Sequence, residues 1–461
     1  MRELLHSTAS RAARYLEDIQ ERRVRPSGES IRGLEQFSEP LPEEPTDPEE
    51  VLSLLDDFGS PATVGTAGPR FFGFVVGGAL PAALSANWMV SAWDQMAGLS
   101  TATPVGGVLE EVSLGWLIDA LSLPEGCGGA FVTGCTMANF TALAAARRSV
   151  LARAGWDVER DGLFGAPAVK VVVGDEVHPS LLKALGMLGM GRERVTRVPV
   201  DGQGRMMADQ LPELSGPAIV CVQAGNVNTG AFDPAREIIE RAHAAGAWVH
   251  VDGAFGLWAA ASPARAHLLD GYGAADSWAT DAHKWLNVPY DSGLAFVRDA
   301  ESLRAAMSIS AVYLPEGERR EPSHYTPESS RRARGVEIWA ALKSLGRSGL
   351  AAMIERDCRC ATRFANGLAA AGYEILNEVV LNQVLVAFEK AGSVEMTTRV
   401  IEAVQAEGTC WCGPTVWQGR TAMRISVSSW RTTETDVDRS LAAILRVAEE
   451  ISTTETTRPG L

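Results

Sequence analysis

The sequence has few cysteines, few histidines and no excess of positive charge. Its 461 residues include seven Cys and seven His, and 42 Lys and Arg against 57 Asp and Glu give a formal net charge of −15. An acidic chain repels the phosphate backbone of nucleic acids, so we expect no nucleic-acid partner. No His-Glu-x-x-His or comparable cluster occurs among the histidines, so no metal is expected. An odd number of cysteines does not suit a disulfide framework, and we expect reduced thiols and a cytoplasmic location.

A long apolar run is also missing. No stretch of about 18 uncharged apolar residues is present, the length needed to span a bilayer, so we expect no membrane association. The first 20 residues mix Arg, Glu and Asp with apolar residues and do not read as a secretory signal. Their apolar residues recur every three to four positions, which predicts an amphipathic helix. Either a second subunit or the chain's own domain would cover its apolar stripe.

The sequence does contain an alternation of short apolar strands and amphipathic helices. Strands are predicted over 130–133, 168–173, 195–200, 218–223, 247–251, 277–280 and 294–297. Helices are predicted among them over 137–154, 180–188 and 234–245. Continuously apolar strands that alternate with helices indicate an α/β fold with a mostly parallel, seven-stranded sheet covered on both faces. Ligands of such sheets bind at the carboxyl ends of the strands.

Breaks in this pattern predict four segments. A proline-rich stretch before residue 48 separates an N-terminal helical segment, 1–45, from a large domain, 46–310. A charged stretch with two prolines predicts a mobile loop, which forms the segment 311–345 with a connecting helix. In 346–461, helices and two strand-like stretches predict a smaller α+β domain.

Three turns carry residues suited to chemistry. The segment 133–139 links a buried strand to a long helix through a Gly/Thr turn, which is either an anion site for one phosphate or an ordinary glycine turn. Asp252 ends a strand, and Lys284 lies in the turn after the next one. A lysine in apolar surroundings readily lowers its pKa, as an attacking amine requires, and an aspartate suits a protonated pyridine nitrogen. The alternatives are a surface lysine and a capping aspartate. His178 also lies just after a predicted strand, where the alternative is an ordinary turn histidine.

In their order along the chain, these features resemble the pyridoxal-phosphate-dependent group II amino acid decarboxylases, which have the fold-type-I architecture. The resemblance extends from about residue 69 to residue 433. Its most specific parts are His283-Lys284-Trp-Leu and the segment from His250 to Ala254, which contains Asp252. It implies that Lys284 bonds covalently to the cofactor, that Asp252 pairs with the pyridinium and that His178 stacks on the ring.

The resemblance also implies further roles at the site. The remaining cofactor contacts would be Cys135 and Thr136 at the phosphate, Ala254 beneath the ring, and Asn228, Asp281 and His283. Tyr313, on the predicted loop, would be the general acid that protonates the α-carbon after carbon dioxide leaves; the alternative is a surface tyrosine. Substrate contacts would come from Phe74, Gly77, His283 and Arg424. Gly77 replaces a hydroxyl-bearing residue of the aromatic-acid enzymes, and Arg424 is either a carboxylate clamp or a structural ion-pair partner.

The activity implied is decarboxylation of an L-amino acid to its amine and carbon dioxide, in a homodimer with a shared active site. Other reactions of the same cofactor remain open: transamination, aldol-type cleavage and decarboxylation coupled to aldehyde formation. A pyridoxal-phosphate-binding protein without turnover is an alternative of a different class.

Overall fold

The computed structural model describes residues 1–308, 320–388 and 394–456. The chain forms two compact units. We name them the sheet unit, Gly77–Arg359 with Asn377–Gln383, and the terminal unit, Met1–Val76 with Cys360–Leu376 and Val384–Leu461.

A seven-stranded sheet forms the centre of the sheet unit. Its strands are β1 (Gly128–Val132), β2 (Lys170–Gly174), β3 (Thr196–Val198), β4 (Ala218–Gln223), β5 (Trp248–Asp252), β6 (Ser277–Asp281) and β7 (Gly293–Val297), in the order β1-β7-β6-β5-β4-β2-β3. Strands β2 to β6 pair in parallel, and β7 runs antiparallel to β1 and β6. The expectation of a mostly parallel sheet of seven strands is therefore confirmed, and every predicted strand overlaps an observed one.

Helices cover this sheet and make up much of the terminal unit. They are α1 (Arg2–Asp18), α2 (Gly28–Gly33), α3 (Pro48–Leu54), α4 (Ser60–Ala62), α5 (Pro81–Trp93), α6 (Pro104–Ala120), α7 (Cys135–Arg153), α8 (Val158–Asp161), α9 (Pro179–Met187), α10 (Ala235–Ala244), α11 (Ala300–Met307), α12 (Arg334–Ala370), α13 (Val394–Glu407) and α14 (Glu434–Thr456). The segment α12 is interrupted at Gly346, where φ is 60°. No helix in the described ranges combines the length and the apolarity needed to cross a membrane.

Helix α7 begins at the carboxyl end of β1 and packs against β5, β6 and β7. Its buried side includes Ala138, Ala142 and Ala145, each 0% exposed, and such small side chains let the helix lie close to the sheet. A Cβ built on Gly293 would lie only 2.4 Å from the Cα of Gly134, so β7 and the turn before α7 approach too closely for a side chain there. The first turn of α7 therefore lies at the edge where β5 and β6 end.

The terminal unit contains a second, smaller sheet. Its strands β8 (Glu374–Ile375), β9 (Gln383–Ala387), β10 (Gly413–Trp417) and β11 (Arg420–Ser426) lie in the order β10-β11-β9-β8, and α13 packs against α14. Thr433 and Asp436 cap α14 reciprocally, with N···O distances of 3.3 and 3.1 Å. The predicted amphipathic N-terminal helix is present as α1, and none of its residues is buried.

Candidate active site

Most of the predicted site residues follow strands at one edge of the large sheet. Strands β2, β4, β5 and β6 are parallel, so their carboxyl ends meet at the same edge. His178 follows β2 and Asn228 follows β4, whereas Asp252 and Asp281 are the last residues of β5 and β6. Lys284 lies one short turn beyond Asp281.

Lys284 forms an ion pair with Asp281. Its Nζ lies 2.9 Å from Asp281 Oδ2, and the two side chains are 19% and 4% exposed. Burial is the largest single influence and lowers the pKa of Lys284, but the charge and hydrogen bond of Asp281, together with nearby groups that include Asp252, raise it overall. The sequence-based expectation that apolar surroundings lower this pKa does not hold here, because Asp281 stabilises the ammonium.

The same carboxylate occupies the amino-terminal end of α7. The backbone N–H of Cys135, the first residue of the helix, donates to Asp281 Oδ1 across 2.5 Å. The N–H at the start of α7 therefore bonds a carboxylate of the protein itself, and the phosphate site at this turn stays a prediction. Thr136 lies in the same first turn and is partly exposed.

Asp252 is surrounded by uncharged donors. Its Oδ1 accepts the Cys135 thiol at 3.4 Å and the Ala254 N–H at 3.3 Å, and its Oδ2 accepts the Asn139 side-chain amide at 3.2 Å. Burial raises the pKa of the Cys135 thiol well above its usual range, so this group is an S–H donor. Asp252 is 5% exposed, and none of these three contacts is with a cation.

His178 is held as the N-cap of α9. Its Nδ1 accepts the backbone N–H of Ser180 at 3.2 Å and lies 2.7 Å from the Ser180 hydroxyl. The turn that carries His178 is tied to β4, because Gln223 Nε2 donates to the Glu176 carbonyl at 2.7 Å. The imidazole is half-buried at the sheet edge, which is a position from which it can cover a ligand.

Asn228 and Ala254 contribute through backbone geometry. Asn228 is 7% exposed, and its N–H donates to Asn226 Oδ1 at 2.9 Å in the turn that ends at Gly230. The Ala254 carbonyl accepts the N–H of Asp281 at 2.9 Å, which fixes the end of β6 against the turn after β5.

His283 stacks on Tyr290, with ring centroids 4.2 Å apart and an interplanar angle of 26°. Its Nδ1 accepts the Ser292 N–H at 3.1 Å, so in the neutral form Nε2 carries the proton, 3.5 Å from Asp281 Oδ1. Burial lowers the pKa of His283, which favours this neutral form.

Gly77 lies against the turn that carries Lys284. A Cβ at this position would be 1.8 Å from the Lys284 carbonyl oxygen, so only glycine fits. The other predicted substrate residues, Phe74 and Arg424, belong to the terminal unit. There, Phe74 stacks on Trp411 with centroids 5.4 Å apart, and burial lowers the pKa of Arg424. Tyr313 lies outside the described residues.

Sequence reasoning missed two residues behind Asp252. Asn139 lies one helical turn after Cys135, and His250 lies two residues before Asp252 on β5. Both spacings place the side chains on the same face as a predicted site residue, which is the signal that would have found them.

This arrangement fits a phosphorylated aldehyde with a ring nitrogen. Lys284 supplies an amine, Asp252 a carboxylate without a charged partner among its contacts, and the α7 terminus a position where the structure already holds an anion on a backbone N–H.

Comparison with known proteins supports the same identification. Residues 34–390 match the family model described as the pyridoxal-dependent decarboxylase conserved domain. The aromatic-L-amino-acid decarboxylase of Bacillus atrophaeus is 26% identical over 436 residues, with 90% of this chain and 88% of that protein covered. The acidic amino acid decarboxylase GADL1 of Bos taurus is 31% identical over 340 residues, with 67% and 64% covered.

The fold matches as well. The crystal structure of Oryza sativa TDC with PLP and tryptamine superposes with a TM-score of 0.90 at 24% identity, and 97% of each chain is covered. The expectations of a decarboxylase family, of a carboxy-lyase and of pyridoxal phosphate as cofactor are confirmed by the family match. This chain belongs to the pyridoxal-dependent decarboxylase family.

Proposed function

We propose that this enzyme removes the α-carboxyl group of an L-amino acid and releases the amine, with Lys284, Asp252, His178 and Tyr313 as the residues that carry the reaction. The observation that carries the proposal is the separation of two carboxylates at one sheet edge. Asp281 pairs with the amine of Lys284, whereas Asp252 is contacted by uncharged donors and remains available to a ring cation. Bound pyridoxal phosphate supplies the electron sink that makes loss of the carboxyl group feasible.

The protein's share of the chemistry is to bind, orient and protonate. Lys284 would provide the amine that condenses with the cofactor's aldehyde with loss of water, and Asp281 holds this amine at the carboxyl end of β6. The phosphate would bind at the first turn of α7, at Cys135 and Thr136. His178 would cover the ring from the α9 side, and Asp252 would hold its nitrogen protonated.

The substrate would lie near His283 and Gly77. Because Gly77 has no side chain, it offers neither a hydroxyl nor a charge to the substrate. Tyr313 would deliver a proton to the α-carbon, which completes the amine.

We also propose a homodimer with a shared active site. Support comes from apolar residues of α5 and α6 that remain exposed in a single chain. They are Trp88, Met89, Trp93, Val105, Val108, Val112 and Trp116, between 36% and 54% exposed. On α6 they recur every three to four residues and so form one stripe, which a second copy would cover. No disulfide joins the seven cysteines, all of which lie in the described part of the chain and are buried, and this supports the proposed reducing, cytoplasmic environment.

The test is a panel of aromatic and acidic L-amino acids, the classes named for the relatives, with carbon dioxide, amine, aldehyde and keto acid all measured. Carbon dioxide and amine in equal amounts are expected. Keto acid without carbon dioxide would indicate transamination, and aldehyde with carbon dioxide would indicate the coupled oxidation. No product from any acid, with cofactor bound, would favour the binding protein.

Two variants locate the residues responsible. Lys284→Arg keeps a cation beside Asp281 but cannot bond to the cofactor, so borohydride treatment should leave no cofactor attached and no product should form. Tyr313→Phe should bind cofactor normally and lose amine formation. The matched control is Tyr325→Phe, whose ring still stacks under Arg320. An unchanged amine yield in Tyr313→Phe would remove this tyrosine from the mechanism.

A further inference from the structure

A continuous line of buried hydrogen bonds leads from the core of the sheet to Asp252. Trp248 Nε1 donates to the Ser277 hydroxyl oxygen at 2.9 Å, and that hydroxyl lies 2.9 Å from His250 Nδ1. His250 Nε2 lies 2.8 Å from Asn139 Oδ1, and Asn139 Nδ2 donates to Asp252 Oδ2 at 3.2 Å. Ser277, His250 and Asn139 are each 0% exposed, so solvent does not compete for these bonds.

The chemistry of the groups sets the direction of every bond in this line. Asp252 can only accept, so Asn139 presents its NH₂ to it and its carbonyl oxygen to His250. That oxygen can only accept, so His250 carries its proton on Nε2 and leaves Nδ1 as the acceptor. Ser277 already accepts the indole N–H, and its own proton therefore goes to Nδ1. One arrangement of protons satisfies all four bonds.

The line is also uncharged along its length. Burial lowers the pKa of His250 to about 4, so its imidazole is neutral near neutral pH. The line therefore orients Asp252 without neutralising it. A charged donor at the position of Asn139 would form a strong pair with the carboxylate and compete with the ring cation.

We propose that Asn139, His250 and Ser277 are positioning residues that hold Asp252 in the orientation and charge state needed to pair with the cofactor's ring nitrogen. This inference rests on the proposed role of Asp252. It extends that role to residues of α7, β5 and β6, which have no direct contact with the cofactor in the proposal. The strength of cofactor binding should then depend on the imidazole tautomer at position 250.

The experiment is a double-mutant cycle on the cofactor dissociation constant, measured with pyridoxal phosphate on full-length protein. His250→Phe leaves the Asn139 oxygen without a donor and lets the amide turn, and we expect cofactor binding to weaken about tenfold. In an Asp252→Asn background the same substitution should have no further effect, because its effect passes through the carboxylate. Equal weakening in both backgrounds would overturn the inference and indicate a merely structural role.

The cycle separates the inference from the role on which it rests. If Asp252→Asn alone leaves binding unchanged, the pairing of Asp252 with the ring is wrong. If Asp252→Asn weakens binding but His250→Phe does not, only the positioning line is wrong.

Further variants guard against a folding defect. His250→Gln keeps a donor for Asn139 and should restore affinity to within about threefold of the parent protein. Ser277→Ala, which removes the proton donated to Nδ1, should weaken binding in the same direction as His250→Phe, and it decides the question if His250→Phe does not fold. Exposed His267→Phe is the matched control and should change nothing. Parent-like affinity in both His250→Phe and Ser277→Ala would refute the proposal.

Discussion

Replacing Gly77 by alanine should distort the turn that carries Lys284. The added Cβ would lie 1.8 Å from the Lys284 carbonyl oxygen and 2.9 Å from Asn287 Cγ, whereas ordinary contacts begin at 3.4 Å. The Lys284 oxygen also accepts the backbone and side-chain N–H groups of Asn287, both at 3.4 Å, so moving it disturbs the whole turn. The obstacle is a main-chain atom that cannot rotate away. We therefore expect the upper end of the overpacking range, a loss of about 3 kcal/mol in the free energy of unfolding.

Urea unfolding followed by fluorescence measures this loss, and a matched glycine provides the control. Gly186 lies in α9, where an added Cβ meets nothing within 4 Å. Gly186→Ala should therefore gain about 0.5–1 kcal/mol from helix propensity. Gly77→Ala should also bind pyridoxal phosphate more weakly, because Lys284 moves with its carbonyl. A Gly77→Ala protein within about 0.5 kcal/mol of the parent, with unchanged cofactor affinity, would refute the close approach of these two segments.

Two further predictions concern pH dependence and assembly. Asp357 is 0% exposed and accepts hydrogen bonds from Trp285 Nε1 and from Arg356, both at 2.9 Å. Burial nevertheless raises the pKa of Asp357 to about 7. Between about pH 4 and pH 7 the folded protein therefore holds a proton that the unfolded chain releases. Stability should fall as pH rises from about 4 to 7, by on the order of 4 kcal/mol from this group, and a parent-like slope in Asp357→Asn would contradict the assignment. In sedimentation velocity, Val108→Glu should shift the protein from the mass of two chains to that of one. The control Met187→Glu, at a similarly exposed position on α9, should leave the mass unchanged. A Val108→Glu protein that is still a dimer would exclude the α5–α6 face as the dimer interface.

The large sheet was predictable because its strands are buried on both faces. All residues of β1, β5, β6 and β7 are buried, so these strands read as short apolar runs between turn residues. Strand β10 gave no such signal. It begins at Gly413-Pro414 and alternates between buried and exposed positions, which reads as a turn, but it lies at the edge of the smaller sheet, where a proline removes no necessary hydrogen bond. Strand β8 has only two residues, too few for any periodicity.

The candidate site was predictable as an order of motifs but not as a set of contacts. The predicted strand ends and the predicted start of α7 identify Cys135, Asp252 and Lys284 as candidate site residues. The pairing of Asn139 with Asp252 depends on how α7 lies across β5, and the contact of His250 with Ser277 depends on the parallel register of β5 and β6, in which these two residues are opposite each other. No local pattern contains either fact.

The raised pKa of Lys284 shows the same limit in electrostatic form. Apolar neighbours in the sequence predict a lowered pKa, but the sign also depends on nearby polar and charged groups, and Asp281 is the one that forms an ion pair with the amine. The two groups are three positions apart, and in a turn that spacing allows the carboxylate to face either the amine or solvent. Here Asp281 is anchored by the N–H of Cys135, from a distant part of the chain, and so it faces the amine.

The two aspartates at the sheet edge are therefore distinguished by their donors rather than by their burial, since both are almost fully buried. Asp281 is contacted by an ammonium, and its charge is largely used in that pair. Asp252 receives an amide, a thiol and a backbone N–H, which orient its oxygens but leave its charge uncompensated by these contacts. A buried carboxylate of this kind is costly unless a cation completes it, and the cofactor's ring nitrogen is the cation that the proposed reaction brings. Pairing with that cation should thus contribute to the affinity with which the cofactor binds.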